Sequence, residues 1–115
     1  MYAAVHALKA SADYQRISRL GKKWVLPAFI MLAAPRSSED LPFRFGLTAS
    51  RKVGGAVVRN RAKRRLRHMV RLSLPAGAGA GHDIVLIART NAATRDFAQM
   101  QQEFLTGLRK LGILR

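Results

Sequence analysis

The chain has 115 residues, enough for one domain with one core, and at 49% hydrophobic it is not a disordered tail. A net charge of +15, from 21 Lys and Arg against 6 Asp and Glu, indicates a large anionic partner, either nucleic acid or an anionic membrane. The sequence contains no cysteine, which excludes disulfides and thiolate metal sites, and no apolar run approaches the ~18 residues of a membrane span, so we expect a cytoplasmic protein.

The first part of the chain predicts a helix followed by two strands. Residues 11–20 are typical of a short helix. Residues 24–34 form an extended apolar run, in which Pro27 favours an edge or a bulge. Residues 44–50 alternate apolar and polar side chains, as a half-buried strand does. We expect the two runs to pair as antiparallel strands, with Trp24 and most other aromatic residues in the core.

The next segment is the most basic part of the chain. Residues 51–71 hold nine Lys or Arg and no Asp or Glu. An apolar stripe at helical spacing consists of Val58, Ala62, Leu66, Met69 and Val70. This stripe predicts a helix that docks on a core by one face and presents charge on the others. Because the stripe is narrow and arginine outnumbers lysine, phosphate recognition in RNA or DNA is favoured over membrane binding.

The C-terminal part predicts a strand and a helix. Residues 83–90 include five consecutive apolar residues, typical of a central strand covered on both faces. Residues 94–111 carry apolar side chains at steps of 3, 4, 4 and 3, as one face of a helix does. The order α-β-β-α-β-α predicts an α+β sandwich, in which helices pack on a small mixed β-sheet, as one domain over residues 1–115.

Motifs for catalysis are lacking in the sequence. We find no metal-ligand motif, no paired carboxylates at helical spacing and no Ser/His/Asp spacing, and so predict no catalytic or metal-binding residue in the protein. Gly54-Gly55, before the basic helix, could bind one phosphate through backbone amides or could be a plain turn. Tyr14 could be an exposed ring that stacks on a base, or a half-buried tyrosine.

Residues 50–67, SRKVGGAVVRNRAKRRLR, closely resemble the signature of the bacterial ribonuclease P protein subunit, with Arg59-Asn60-Arg61 at its centre. Leu8-Lys9 with Asp13-Tyr14, residues 44–47 and residues 83–89 also resemble segments of that family. The resemblance implies a fold shared with a ribosomal protein S5 domain, including a left-handed βαβ crossover through the basic helix, an exception to the usual hand. It also implies a ribonucleoprotein subunit that helps to remove the 5′ leader from precursor tRNA, while the RNA subunit and its magnesium ions carry out hydrolysis.

The resemblance also assigns residues to two RNA partners. The positions that face the catalytic RNA subunit are Arg51, Lys52, Arg59, Asn60, Arg61, Lys63, Arg64, Arg65 and Arg67, with room for at least one of them to serve the fold instead. The positions that border a leader-binding cleft between the first helix and the sheet are Tyr14, Arg16, Arg19 and Arg89. Ser18 and Leu32 stand where some relatives have aromatic residues, which implies weaker stacking and a larger contribution from Arg16 and Arg19.

Three alternatives remain open at this point. The chain could be a general RNA chaperone or ribosome-assembly factor that has no dedicated catalytic RNA. It could instead be an architectural DNA-binding protein, or a protein-only nuclease that assembles scattered acidic residues. Reconstitution with a catalytic RNA subunit separates all three from the first interpretation.

Overall fold

A computed structural model describes residues 6–7, 11–37, 41–75 and 79–114. Leu8-Lys9 of the family resemblance lie outside this part, as do residues 38–40 and 76–78. The elements, in chain order, are β1 (His6–Ala7), α1 (Ser11–Leu20), β2 (Lys22–Val25), β3 (Phe29–Pro35), β4 (Arg44–Thr48), a 3₁₀ turn (Arg51–Val53), α2 (Ala56–Ser73), β5 (His82–Ala88) and α3 (Phe97–Lys110).

The strands form one mixed sheet in the order β1-β4-β5-β3-β2. β5 lies at the centre, parallel to β4 on one side and antiparallel to β3 on the other. The predicted α+β class and the central position of β5 are confirmed. Because α2 joins the parallel neighbours β4 and β5, the chain has the βαβ unit that the resemblance implies. The hand of that crossover stays a prediction.

The predicted antiparallel pairing of the two N-terminal runs is wrong. β3 and β4 both pair with β5, which lies between them. The continuous apolar run of β5 is buried on both faces and therefore takes the central place, which a strand with one polar face cannot fill. The structure contains two strands, β1 and β2, that the predicted order α-β-β-α-β-α lacks.

Residues 24–34 are two strands rather than one. β2 ends at Val25 and β3 begins at Phe29, and the backbone N–H of Leu26 donates to the carbonyl of Phe29 across the intervening turn, at 2.9 Å. Pro27 lies in this turn, where its missing N–H costs nothing. β2 is therefore an edge strand, and its position explains why Trp24 is 37% exposed instead of lying in the core as predicted.

Helices cover both faces of the sheet. On one face α2 packs against β4, β5 and α3, over a core that includes Phe29, Leu66 and Phe104. On the other face α1 packs on β3 and β5, over a smaller cluster that includes Ile17 and Val85. α3 begins at Phe97, three residues later than predicted, because the Asp96 carboxylate caps it by accepting from the Gln99 N–H at 3.0 Å.

Candidate nucleic-acid interface

The two faces of α2 differ completely in chemistry. Its inner face consists of Ala62, Leu66, Met69 and Val70, all fully buried. The opposite face consists of Asn60, Arg64, Arg67 and Arg71, all exposed. We call this second set the outer stripe; its spacing of 4, 3 and 4 residues keeps all four side chains on one side of the helix. Three guanidinium groups aligned in this way suit the regularly spaced phosphates of a nucleic acid backbone.

Most of the other predicted RNA-facing residues surround the outer stripe. Arg51 and Lys52 are exposed in the 3₁₀ turn before α2, and Arg61 is exposed on α2 itself. Arg59 and Lys63 are half-buried on the flank of the helix. Eight of the nine predicted residues thus lie on α2 or in the turn before it, with at least part of each side chain exposed. Arg71 was missed, although its helical spacing from Arg64 and Arg67 was a usable signal.

Arg65 is the member of the predicted set that is turned toward the protein. Its Nη1 donates to the Ala92 carbonyl at 2.7 Å, and its Nη2 donates to the Arg95 carbonyl. Its guanidinium carbon also lies 5.9 Å from the centre of the Phe97 ring. Because two of its nitrogens are bound to backbone carbonyls, Arg65 fastens the loop before α3 to α2 rather than presenting a free guanidinium group.

The turn that precedes α2 is built for a sharp change of direction. Gly54 has φ 148°, a conformation that favours glycine, and a Cβ there would lie 2.9 Å from the Val58 Cβ. Gly55 is the N-cap of α2 and, having no side chain, cannot accept a hydrogen bond from the first backbone amides of the helix. This geometry accounts for the glycine pair as a turn, and its phosphate-binding interpretation stays a prediction.

On the other side of the sheet a row of side chains remains partly open beside α1. The registers pair Thr48 with Ile87, Ile87 with Ile30, and Ile30 with Val25, so these four side chains cross the sheet from β4 to β2 on one face. They are half-buried or exposed. A shallow depression lined by Tyr14, Gln15, Ser18 and Arg19 of α1 adjoins this face. We call the row and this depression the α1 cleft.

Tyr14 is half-buried, the second of its two interpretations. Its hydroxyl and ring edge occupy the space above Gly46 of β4, where any Cβ would collide with them. Burial raises the pKa of the Tyr14 hydroxyl, and a backbone hydrogen bond with Leu47 opposes that shift. Tyr14 is therefore held over β4 at the start of the α1 cleft, with part of the ring still accessible.

The three arginines predicted to border the cleft differ in their freedom. Arg19 is exposed and lines the same depression as Tyr14. Arg89 is exposed, and its Nη1 donates to the Leu26 carbonyl at 2.9 Å, near the β2 end of the row. Arg16 points to the other end of the sheet, where it donates to the Pro35 carbonyl at 3.0 Å and to Asp83. Arg16 therefore belongs to a structural network and not to the open cleft.

That network surrounds Asp83, a fully buried acidic residue at the start of β5. Arg44 donates from Nε and Nη2 to its two oxygens, at 2.8 and 2.7 Å. The Arg44 Nη2 also lies 3.3 Å from Asp13, and the Arg36 Nε lies 3.6 Å from Asp83. The hydrogen bond to Asp83 is the main reason that the pKa of Arg44 is raised. These contacts tie α1, β3, β4 and β5 together, and none of them was predicted from the sequence.

The described acidic and histidine side chains do not form a metal site. Within residues 6–7, 11–37, 41–75 and 79–114, no three His, Asp or Glu side chains come together as a metal ion would require. No helix in the described part of the chain is long and apolar enough to cross a membrane. The four described acidic residues make structural contacts: Asp13 and Asp83 with arginines, Glu103 with Arg95, and Asp96 as the cap of α3.

Comparisons with known proteins agree with one another. The family model described as Ribonuclease P matches residues 3–112. The chain is 43% identical, over an alignment of 117 residues, to the ribonuclease P protein component of Paramagnetospirillum magneticum, covering 99% of this chain and 88% of that protein. It is 39% identical to the same component of Gluconacetobacter diazotrophicus, covering 94% and 92% of the two chains.

Solved structures show the same similarity at the level of the fold. The RNase P protein of Staphylococcus aureus superposes with a TM-score of 0.75 at 28% identity, covering 96% of this chain and 98% of that one. The RNase P protein of Thermotoga maritima superposes with a TM-score of 0.73 at 28% identity, covering 91% and 96%.

Proposed function

Because this chain belongs to the ribonuclease P protein family, we propose that it binds the catalytic RNA subunit through α2 and the 5′ leader of precursor tRNA through the α1 cleft. As a protein component of ribonuclease P, it acts in tRNA processing and has an RNA partner. The observation that carries the proposal is the outer stripe, which aligns three exposed arginines opposite the buried face of α2. The proposed location is the cytoplasm, where tRNA is made.

Contact with the RNA subunit is supported by charge and by shape together. The basic residues on and beside α2 have no acidic neighbour in the helix, so bringing them together is costly until a polyanion approaches. Arginine suits this role because its planar guanidinium group can bind phosphate in a bidentate manner. Asn60 adds an exposed amide to the same face, able to reach a base edge or a 2′-hydroxyl.

Hydrolysis is assigned to the RNA subunit, which would hold the magnesium ions. The structural contacts of Asp13, Asp83, Asp96 and Glu103 support this division of labour, because each carboxylate is already engaged. The protein would then contribute binding and orientation of the substrate, with the phosphodiester chemistry supplied by its partner.

Reconstitution with the cognate RNA subunit tests the proposed function directly. At low magnesium concentration, addition of the protein should accelerate removal of the leader from precursor tRNA, because its cations replace part of the charge screening that magnesium supplies. The measurement is single-turnover cleavage of labelled precursor tRNA. No acceleration by the protein would contradict the proposal, and cleavage by the protein alone would contradict catalysis by RNA.

Leader binding in the α1 cleft predicts a specific loss for Tyr14→Ala. We expect the holoenzyme to lose about 1–3 kcal/mol of binding free energy for precursor tRNA and to keep its affinity for mature tRNA, because stacking on one base contributes that amount. Equilibrium binding of both tRNAs to the reconstituted complex measures the difference. Equal losses for both tRNAs would remove Tyr14 from the leader site.

Gly46→Ala is the companion variant to Tyr14→Ala. The new Cβ would push the Tyr14 hydroxyl away from β4, whereas the aromatic ring would still be present for stacking. We expect a smaller loss of leader discrimination, together with a Tyr14 pKa that returns toward the ordinary value because the hydroxyl becomes solvated. Ultraviolet titration can detect this shift, since the chain has only two tyrosines.

A further inference from the structure

The row of side chains in the α1 cleft extends to the edge of the sheet and is open there. Its last member, Val25, is 51% exposed and belongs to β2, the edge strand. Every residue of β2 is exposed, and neighbouring residues of a strand point to opposite faces. Lys23 and Val25 therefore extend the cleft face, whereas Lys22 and Trp24 lie on the face covered by α3.

Trp24 is partly exposed at this edge, and basic residues lie near its indole. It pairs in register with Met31, whose side chain belongs to the α3 side of the core. The Lys110 ammonium lies 5.8 Å from the centre of its ring. Lys22 and Arg109 are exposed residues on the same two elements, at the start of β2 and the end of α3. An exposed indole beside several cations and without an acidic residue on β2 is suited to a base and its phosphates.

Continuity along the chain joins Trp24 to the leader-binding residues. Arg19 lies in the last turn of α1, and only Leu20 and Gly21 separate it from Lys22. The close approach of Gly21 to the carbonyl oxygens of Ile17 and Ala33 leaves no room for a side chain, which brings the end of α1 directly onto the start of β2. Exposed basic residues thus lie on both sides of this turn, Arg19 at the end of α1 and Lys22 at the start of β2.

We propose that Trp24 and Lys110 form a second leader-binding site, at which a long 5′ leader that has crossed the α1 cleft passes over the β2 edge and stacks an unpaired base. This proposal rests on the proposed leader function of the α1 cleft and extends it by one subsite. The leader is the favoured occupant because stacking requires an unpaired base and because the open row leads to this edge. The consequence is that leader length, beyond a threshold, adds to the affinity for precursor tRNA.

The experiment uses Trp24 as its own reporter, because it is the only tryptophan of the chain. The full-length protein is assembled with the cognate RNA subunit, and precursor tRNAs with progressively longer leaders are added while tryptophan emission is recorded. We expect no quenching by the RNA subunit or by short leaders, and quenching once the leader is long enough to reach the edge. Quenching by the RNA subunit alone, or self-association of the protein through this edge, would overturn the proposal.

Binding measurements with labelled precursor tRNA complete the test. Trp24→Leu should weaken binding of long-leader precursors by about fivefold or more and leave short-leader precursors unchanged, whereas Trp24→Phe should retain most of the affinity. Both variants should remain folded at the assay temperature, which their melting curves check, because Trp24 lies on the edge strand and is 37% exposed. An equal effect at every length, or none, would overturn the second site.

The Tyr14→Ala variant separates this proposal from the one on which it rests. If Tyr14→Ala weakens the binding of precursors of every leader length while Trp24→Leu weakens the binding of none, only the proposal of a second site fails. If neither variant distinguishes precursor from mature tRNA, then leader binding in the α1 cleft fails as well, and the second site fails with it.

Discussion

Replacing Asp83 with Ala is expected to lower the free energy of unfolding by about 3 kcal/mol, a large share of the stability of a small domain. The Asp83 side chain is fully buried, and it accepts hydrogen bonds from Arg16 and Arg44. Without the carboxylate, two partly buried guanidinium groups would face each other with less opposing charge. The loss of stability therefore comes mainly from leaving Arg16 and Arg44 without their buried counter-charge, and less from the lost hydrogen bonds themselves.

Urea denaturation of the wild-type protein, Asp83→Ala and Glu103→Gln measures this effect against a matched control. Glu103 also receives two hydrogen bonds from one arginine, at 2.9 and 2.7 Å from Arg95, but that pair is partly exposed. We expect a clearly smaller loss for Glu103→Gln, because water can replace the missing interaction. If Asp83→Ala loses no more than Glu103→Gln, the buried network does not stabilise the fold.

The Asp83 network also bears on RNA binding, because it fixes the position of α1. Arg16 of α1 and Arg44 of β4 meet at Asp83, and Tyr14 lies between these two elements. Loosening the network should therefore move the wall of the α1 cleft. An Asp83→Asn variant, which keeps the shape of the side chain, should lose part of the precursor affinity while remaining folded at low temperature.

Local features of the sequence predicted local structure well. The apolar stripe of α2 and the amphipathic pattern of α3 depend only on nearby residues, and both helices are present. Strand pairing depends on which strand takes the centre of the sheet, a comparison across the whole chain. β5, whose apolar run is buried on both faces, takes the centre. An antiparallel pair of β3 and β4 was expected only because these strands are neighbours in sequence.

The surroundings of individual side chains were hard to predict for a related reason. Trp24 was assigned to the core from its residue type, but its exposure follows from the edge position of β2. The family resemblance placed Arg65 in the RNA-facing set, with room for at least one member to serve the fold, and which member does so depends on the carbonyls of a loop almost thirty residues later. Asp83 did leave a signal, since an acidic residue that opens a buried strand must be paired.

Two groups of arginines in this protein therefore have different roles. Arg16, Arg44, Arg65 and Arg95 form ion pairs or hydrogen bonds that hold elements together. Arg61, Arg64, Arg67 and Arg71 are exposed on α2. The net charge of +15 consequently overstates how many cations are free to bind RNA. The salt dependence of RNA binding reports only on the cations that contact phosphates, because only counterions displaced from phosphates contribute to it.

The double variant Arg64→Ala/Arg67→Ala should weaken binding to the RNA subunit by about 25-fold or more at 0.1 M monovalent salt. Each lost phosphate contact removes roughly 0.7 to 0.9 from the slope of log affinity against log salt, so the slope should shrink by about 1.5. Filter binding over a range of salt concentrations measures both quantities. The melting temperature should stay the same or rise, since both side chains are exposed and lie among like charges.

Arg65→Ala is the matched control, because it removes the same side chain from the position between those two. Its guanidinium group is bound to the carbonyls of Ala92 and Arg95, so the variant should lose stability and leave the salt slope nearly unchanged. If the basic run acted only through its total charge, Arg65→Ala would reduce the salt slope by about half as much as the double variant does. Opposite effects of the double variant and of Arg65→Ala would instead show that the direction imposed by the apolar stripe of α2 decides which arginines meet the RNA.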